Sequence, residues 1–166
     1  SNAVKELVLG MLVLSSRGVV QSMNWVRDNA DDPEIQIDAE KAKKAFVGRE
    51  LKGKRIGVIG LGNVGSKVAN ALVDLGMKVY GYDPYLSVDA AWNLSQHVHH
   101  CLNLGDMLPK CDYITIHVPL NADTKNTISA EAIEKMKDGV RVINLARGEL
   151  VDTKAMAKAL ESGKVA

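Results

Sequence analysis

The stretch that most restricts how this chain can fold is IGVIGLGNVGSKVANAL, residues 56–72. It begins as an uninterrupted apolar run, breaks on three glycines, and resumes with apolar positions at helical spacing. An apolar run bounded by glycine suits a strand covered on both faces, an environment found in parallel sheets flanked by helices. The same alternation recurs downstream. RIGVIG (55–60), KVYGYD (78–83), HVHHCL (97–102), YITIHV (113–118) and RVINLA (141–146) read as strands. Helical patterns fall between or after them at 63–75, 104–109, 129–137 and 153–162.

Strand and helix in strict alternation predict an α/β fold, a doubly wound parallel sheet of the Rossmann type, truncated after the fifth strand and its helix. Residues 51–166 form that core. Ahead of it, residues 4–29 lack proline and space their apolar residues as one leading helix, apolar almost all round at 8–14 and so buried on several sides. DNADDPEIQID (28–38) reads as a loop, and Ser1-Asn2-Ala3 as the remnant of a cleaved tag.

The chain has 166 residues, 46% hydrophobic and 25% charged, which suits one globular domain with a sizeable core. A formal net charge of +1 supplies no electrostatic footprint for nucleic acid or an anionic membrane, and 4% aromatics are few for a base-stacking platform; neither partner is expected. LVLGMLVL (7–14) is too short to span a bilayer. Cys101 and Cys111, without C-x-x-C spacing, read as reduced thiols of a cytoplasmic protein.

Gly60, Gly62 and Gly65 make G-x-G-x-x-G, a weak signal alone because turns use glycine freely. Its context strengthens it: it follows a strand and opens a helix. Gly60 then permits a tight turn, Gly62 lets the backbone approach a pyrophosphate, and Gly65 allows close packing of helix on strand. Amides around Asn63 and Val64 point at the anion from a helix N-terminus. Asp83 ends the second strand roughly 20 residues past the first glycine, where a carboxylate accepts hydrogen bonds from the adenosine ribose. It repels a 2′-phosphate, so NAD is expected over NADP. The competing reading is that Asp83 only opens the Asp83-Pro84 turn.

Open sheets bind ligands outside the carboxyl ends of their strands. That rule selects His117, Val118 and Pro119 after the fourth strand and Asn144 to Gly148 after the fifth. Arg147 there places a forked, permanently charged donor beside the nicotinamide, suited to an anionic 2-oxo or 2-hydroxy acid.

ELKGKRIGVIGLGNVG (50–65), KVYGYDPY (78–85), CDYITIHVPLNADTKNTI (111–128) and MKDGVRVINLARGELVD (136–152) resemble, in order, the D-isomer-specific 2-hydroxyacid dehydrogenases. NAVKELVLGMLVLSSR and YDPYLSVDAAWNLS are most similar to the bacterial D-3-phosphoglycerate dehydrogenases among them. The resemblance implies a pyrophosphate turn at Asn63 and Val64, a ribose carboxylate at Asp83, and cofactor contacts at Val118, Leu145 and Ala146. It makes Arg147 the substrate-binding and catalytic arginine. It also implies a glutamate and a histidine, acting as a proton relay, at positions beyond residue 166, and a separate substrate domain outside this chain. Expected partners are NAD(H), a small anionic hydroxy acid (3-phospho-D-glycerate, in serine biosynthesis) and a second copy, as a homodimer. His97, His99 and His100 complete no metal-binding pattern, and no metal is expected. Two alternatives share the glycine turn: an NAD-sensing corepressor of the same fold and an S-adenosylmethionine-dependent methyltransferase.

Overall fold

The computed structural model describes residues 2–166. Five parallel strands form one sheet: β1 (Arg55–Ile59), β2 (Lys78–Tyr82), β3 (His99–His100), β4 (Tyr113–Ile116) and β5 (Arg141–Asn144), in the order β3-β2-β1-β4-β5. β1 pairs with β2 on one side (Ile59 opposite Tyr82) and with β4 on the other (Ile59 opposite Ile116). The chain therefore winds outward from β1 in one direction, then returns to lay β4 and β5 on the other side. That reversal opens a crevice at the carboxyl ends of β1 and β4. Beyond β5, Val165 bridges Val140 in parallel, so the last residues extend the sheet by one more position.

Helices cover both faces. α4 (Asn63–Asp74) follows β1, and α8 (Thr153–Ser162) follows β5. Shorter helices α5 (Val88–Trp92), α6 (Leu104–Met107) and α7 (Ala130–Lys135) fill the remaining crossovers. Side chains alternate along each strand, which divides the core. Ile56 and Val58 of β1 pack with Val68 and Leu72 of α4, while Ile59 joins Met107, Ile114, Ile116 and Ile133 on the opposite face. Strand β4 is buried along its whole length, as its continuous apolar reading requires.

The leading segment departs from the sequence expectation. It is two helices, α1 (Asn2–Ser16) and α2 (Val19–Asp28), not one. The break falls at Gly18, whose amide donates to the Phe46 carbonyl at 3.0 Å; a β-carbon there would sit 2.9 Å from the Phe46 backbone. Proximity to a distant segment, invisible to local periodicity, ends the helix. Within this chain one side of α1 is covered, with Val8 and Leu12 fully buried, while Leu7 and Val13 are 49% and 43% exposed, which leaves the cover expected on other sides to a partner or another domain. Its C-terminus is fastened to the sheet by Ser16 Oγ against Tyr113 Oη at 2.6 Å and by Arg141 Nε donating to the Ser15 carbonyl at 2.6 Å. The expected 28–38 loop already turns helical at its end, in α3 (Ile35–Ala42). The expected strand at 97–102 shrinks to two residues, because β3 is an edge strand paired only with Tyr80 and Gly81 of β2.

Candidate cofactor-binding site

The glycine turn bends the chain from β1 into α4. Gly60 takes φ +88°, and a β-carbon on it would lie 2.6 Å from the His117 carbonyl oxygen, so both its conformation and its surroundings demand glycine. At Gly65 a β-carbon would lie 1.8 Å from the Gly60 carbonyl oxygen; here α4 presses directly on the turn. Gly62 differs. Its φ of −70° is open to any residue, and a β-carbon would meet nothing within 4 Å. The protein itself does not need glycine at Gly62, whereas a ligand resting on the backbone would.

The N-terminus of α4 supports the same conclusion. No side chain caps it and its first turn holds no acidic residue, which leaves its amides and the positive end of the helix dipole for an anion. α5, α6, α7 and α8 are capped by the side chains of Ser87, Asn103, Ser129 and Asp152.

Asp83 follows β2 directly and combines the two roles that its sequence position suggested. Its Oδ1 accepts from the Tyr85 amide at 2.9 Å, the turn contact, and its Oδ2 accepts from the Leu61 amide at 2.9 Å. Each oxygen keeps a further lone pair, so the carboxylate is held in place and can still accept from ribose hydroxyls. Gly60, Gly62, Asp83, Val118 and Pro119 line one crevice of about 580 Å³. A cavity of about 450 Å³ on the β3 side shares Tyr82, Asp83 and Pro84 with it, which puts Asp83 on the rim between the two. The diphosphate and ribose of a dinucleotide thus fit the donors and acceptors present.

The remaining expected positions do not line this crevice. Asn63 borders an adjoining cleft with Gly62, Ser66 and Lys67. Val64 is half-buried against the α4 side of the core, and Gly65 is buried. Leu145 and Ala146 pack partly into the two core clusters. Arg147 is exposed just past β5; its Nη1 donates to the Ala146 carbonyl at 3.2 Å, and its own carbonyl accepts from Asn144 Nδ2 at 2.8 Å.

Sequence reasoning passed over the loop after Pro119, which supplies Asn121, Asp123, Thr124 and Thr127 to the crevice. Thr124 Oγ1 donates to the Pro119 carbonyl at 2.6 Å and accepts from the Asn121 amide at 2.9 Å, so the loop is folded on its own side chains. The N-x-x-T spacing was the available signal.

Comparisons with known proteins agree with this geometry. The family model described as "D-isomer specific 2-hydroxyacid dehydrogenase, NAD binding domain" matches residues 9–166. The chain is 38% identical to D-3-phosphoglycerate dehydrogenase of Rattus norvegicus over 168 aligned residues, all of this chain but 29% of the rat protein. It is 40% identical to the Bacillus subtilis (strain 168) D-3-phosphoglycerate dehydrogenase over 124 residues, 75% of this chain and 23% of that protein. The apo-structure of D-lactate dehydrogenase from Escherichia coli superposes with a TM-score of 0.82 at 29% identity, covering 98% of this chain and 47% of the other. The chain thus spans under a third of the curated relatives' length. These relatives are dehydrogenases, and the corepressor and methyltransferase alternatives are not favoured. With a family match that takes in all five strands and the whole glycine turn, the chain belongs to the D-isomer specific 2-hydroxyacid dehydrogenases, as their NAD-binding domain.

Proposed function

We propose that this chain is the cofactor domain of an NAD-dependent dehydrogenase that oxidises a D-2-hydroxy acid, 3-phospho-D-glycerate, in serine biosynthesis. The observation that carries the reading is that the free space over Gly62 and the anchored carboxylate of Asp83 belong to one crevice. NAD, when bound, supplies the hydride acceptor. The chain's own part is to hold the diphosphate on the amides from Gly62 to Val64, and to accept ribose hydroxyls at Asp83. Val118 and Pro119 shield the crevice from water. Arg147 is the residue for the substrate carboxylate, since its guanidinium is exposed and bonded only to a neighbouring carbonyl, so it can swing onto an anion. The proton acceptor for the substrate hydroxyl is not among the four histidines: His97, His99 and His100 are exposed on and just before the edge strand and do not line the crevice, and burial holds His117 at a pKa of about 4.

Fluorescence titration tests this reading. NADH is expected to bind saturably and more tightly than NADPH, and 3-phospho-D-glycerate is expected to remain unoxidised by this chain alone while the full-length protein turns it over. No saturable binding of either cofactor would sink the proposal. The reading extends to a homodimer in the cytoplasm. Val20, Met23 and Val26 of α2, like Leu7 and Val13 of α1, are each about half exposed, apolar surface suited to a second copy. Cys101 and Cys111 are free and buried, as in a reducing compartment. Among the described residues no helix is long and apolar enough to cross a membrane. Light scattering is expected to return twice the 17.9 kDa chain mass.

A further inference from the structure

His117 is the one crevice side chain whose ring is fixed at one nitrogen and open at the other. It follows β4, where its amide donates to the Ile59 carbonyl at 2.7 Å and its carbonyl abuts Gly60. The ring is clamped through Nε2, 2.9 Å from Oγ1 of the fully buried Thr115. Nδ1 has no hydrogen-bond partner among the described residues, yet no buried side-chain nitrogen or oxygen is unpaired, so Nδ1 is accessible. His117 lines the crevice shared by Gly60 and Gly62, so its ring is part of the lining beside the glycine turn. Burial also keeps the imidazole neutral near pH 7, able to act as donor or acceptor according to tautomer.

We propose that His117 is a cofactor-contacting residue: Thr115 orients its ring through Nε2, and Nδ1 offers a neutral hydrogen bond to the bound dinucleotide. The proposal rests on the cofactor-domain reading above and assigns that domain a contact that the glycine turn and Asp83 do not supply. A purely structural role makes the opposite demand on the ring, because it needs only the Nε2 contact with Thr115.

Two amides separate these roles. Asparagine carries its amide at the δ position and reproduces the open atom, whereas glutamine carries it at ε and reproduces the clamped one. NADH affinity and thermal midpoint are to be measured on this chain and on His117→Asn, His117→Gln and His117→Phe. The expected result is NADH affinity within about threefold of the parent for His117→Asn, and losses of about tenfold for His117→Gln and His117→Phe. Thr115→Val, which frees the ring, is expected to lose about threefold. Affinity that follows the Thr115 contact instead, with Gln retaining it and Asn losing it, would overturn the proposal. So would parental affinity in His117→Phe. If the parent itself binds no NADH, the underlying cofactor reading fails; a parent that binds alongside indifferent His117 variants defeats this inference alone.

Discussion

α4 and α8 each follow a strand of the same parallel sheet, and both run back from its carboxyl side, yet they begin in opposite ways. α8 satisfies itself. The Asp152 side chain accepts from the Ala155 amide at 3.0 Å, and Gly163 closes the far end in the left-handed conformation. α4 starts on Gly62 with no side-chain cap, against a turn in which two further glycines are enforced by contact distances. α8 meets its first amides from its own sequence. α4 opens on the crevice and leaves its first amides without a side-chain partner, and the fold tolerates this because the crevice beside it is reachable by water and by anions.

The contrast can be broken most severely at Gly65. Valine there would drive a β-carbon into the Gly60 carbonyl, 1.8 Å away. Gly65→Val is expected to cost about 3 kcal/mol in chemical denaturation, and an unchanged midpoint would show that α4 does not press on the turn as described. Gly62→Ala is the complementary change. With nothing within 4 Å of the added carbon, stability should hold while NADH affinity falls more than about tenfold; unimpaired binding would deny that the ligand rests on this backbone.

Asp83→Ala is expected to weaken NADH about tenfold and NADPH distinctly less, because only NADH loses a charge-assisted hydrogen bond without shedding a repulsion. Equal losses would leave Asp83 with its turn-holding role alone. At the other helix, Asp152→Ala should lower stability by about 1 kcal/mol with NADH affinity unaltered, the reverse of Gly62→Ala. A shared effect on binding would erase the distinction between the two helices.

A further effect is in pH. Burial lowers the His117 pKa from 6.5 to about 4, so the unfolded chain takes up this proton first as acid is added. The stabilisation from this site is therefore complete above pH 6.5 and is lost as pH falls from 6.5 toward 4. Denaturation curves across that window should fall less steeply for His117→Asn than for the parent, and superimposable slopes would remove His117 from the account.

What could be read in the chain beforehand was whatever local chemistry enforces. The boundaries of α8 are those its periodicity suggested, and Asp83 stands beside the glycine turn as their spacing required. Legibility failed where a distant segment decided. Gly18 breaks the leading helix because Phe46 comes against it. Asn126 takes φ +53°, with its amide given to the Glu149 carbonyl, a pairing that residues around 126 do not announce. The pattern at 97–102 suggested a short strand, and with a partner on one side only it pairs over two residues.

By itself, then, the amino-acid order determined the alternating α/β plan, the glycine turn and the carboxylate that goes with it, because strand, helix and turn preferences act between neighbours along the chain. Tertiary structure alone decided which glycines are sterically enforced and which one faces open space. It also decided that Thr115 clamps His117, and that Arg147 stands exposed outside the crevice. Those outcomes depend on distances between residues far apart in sequence, which packing sets and no local pattern encodes.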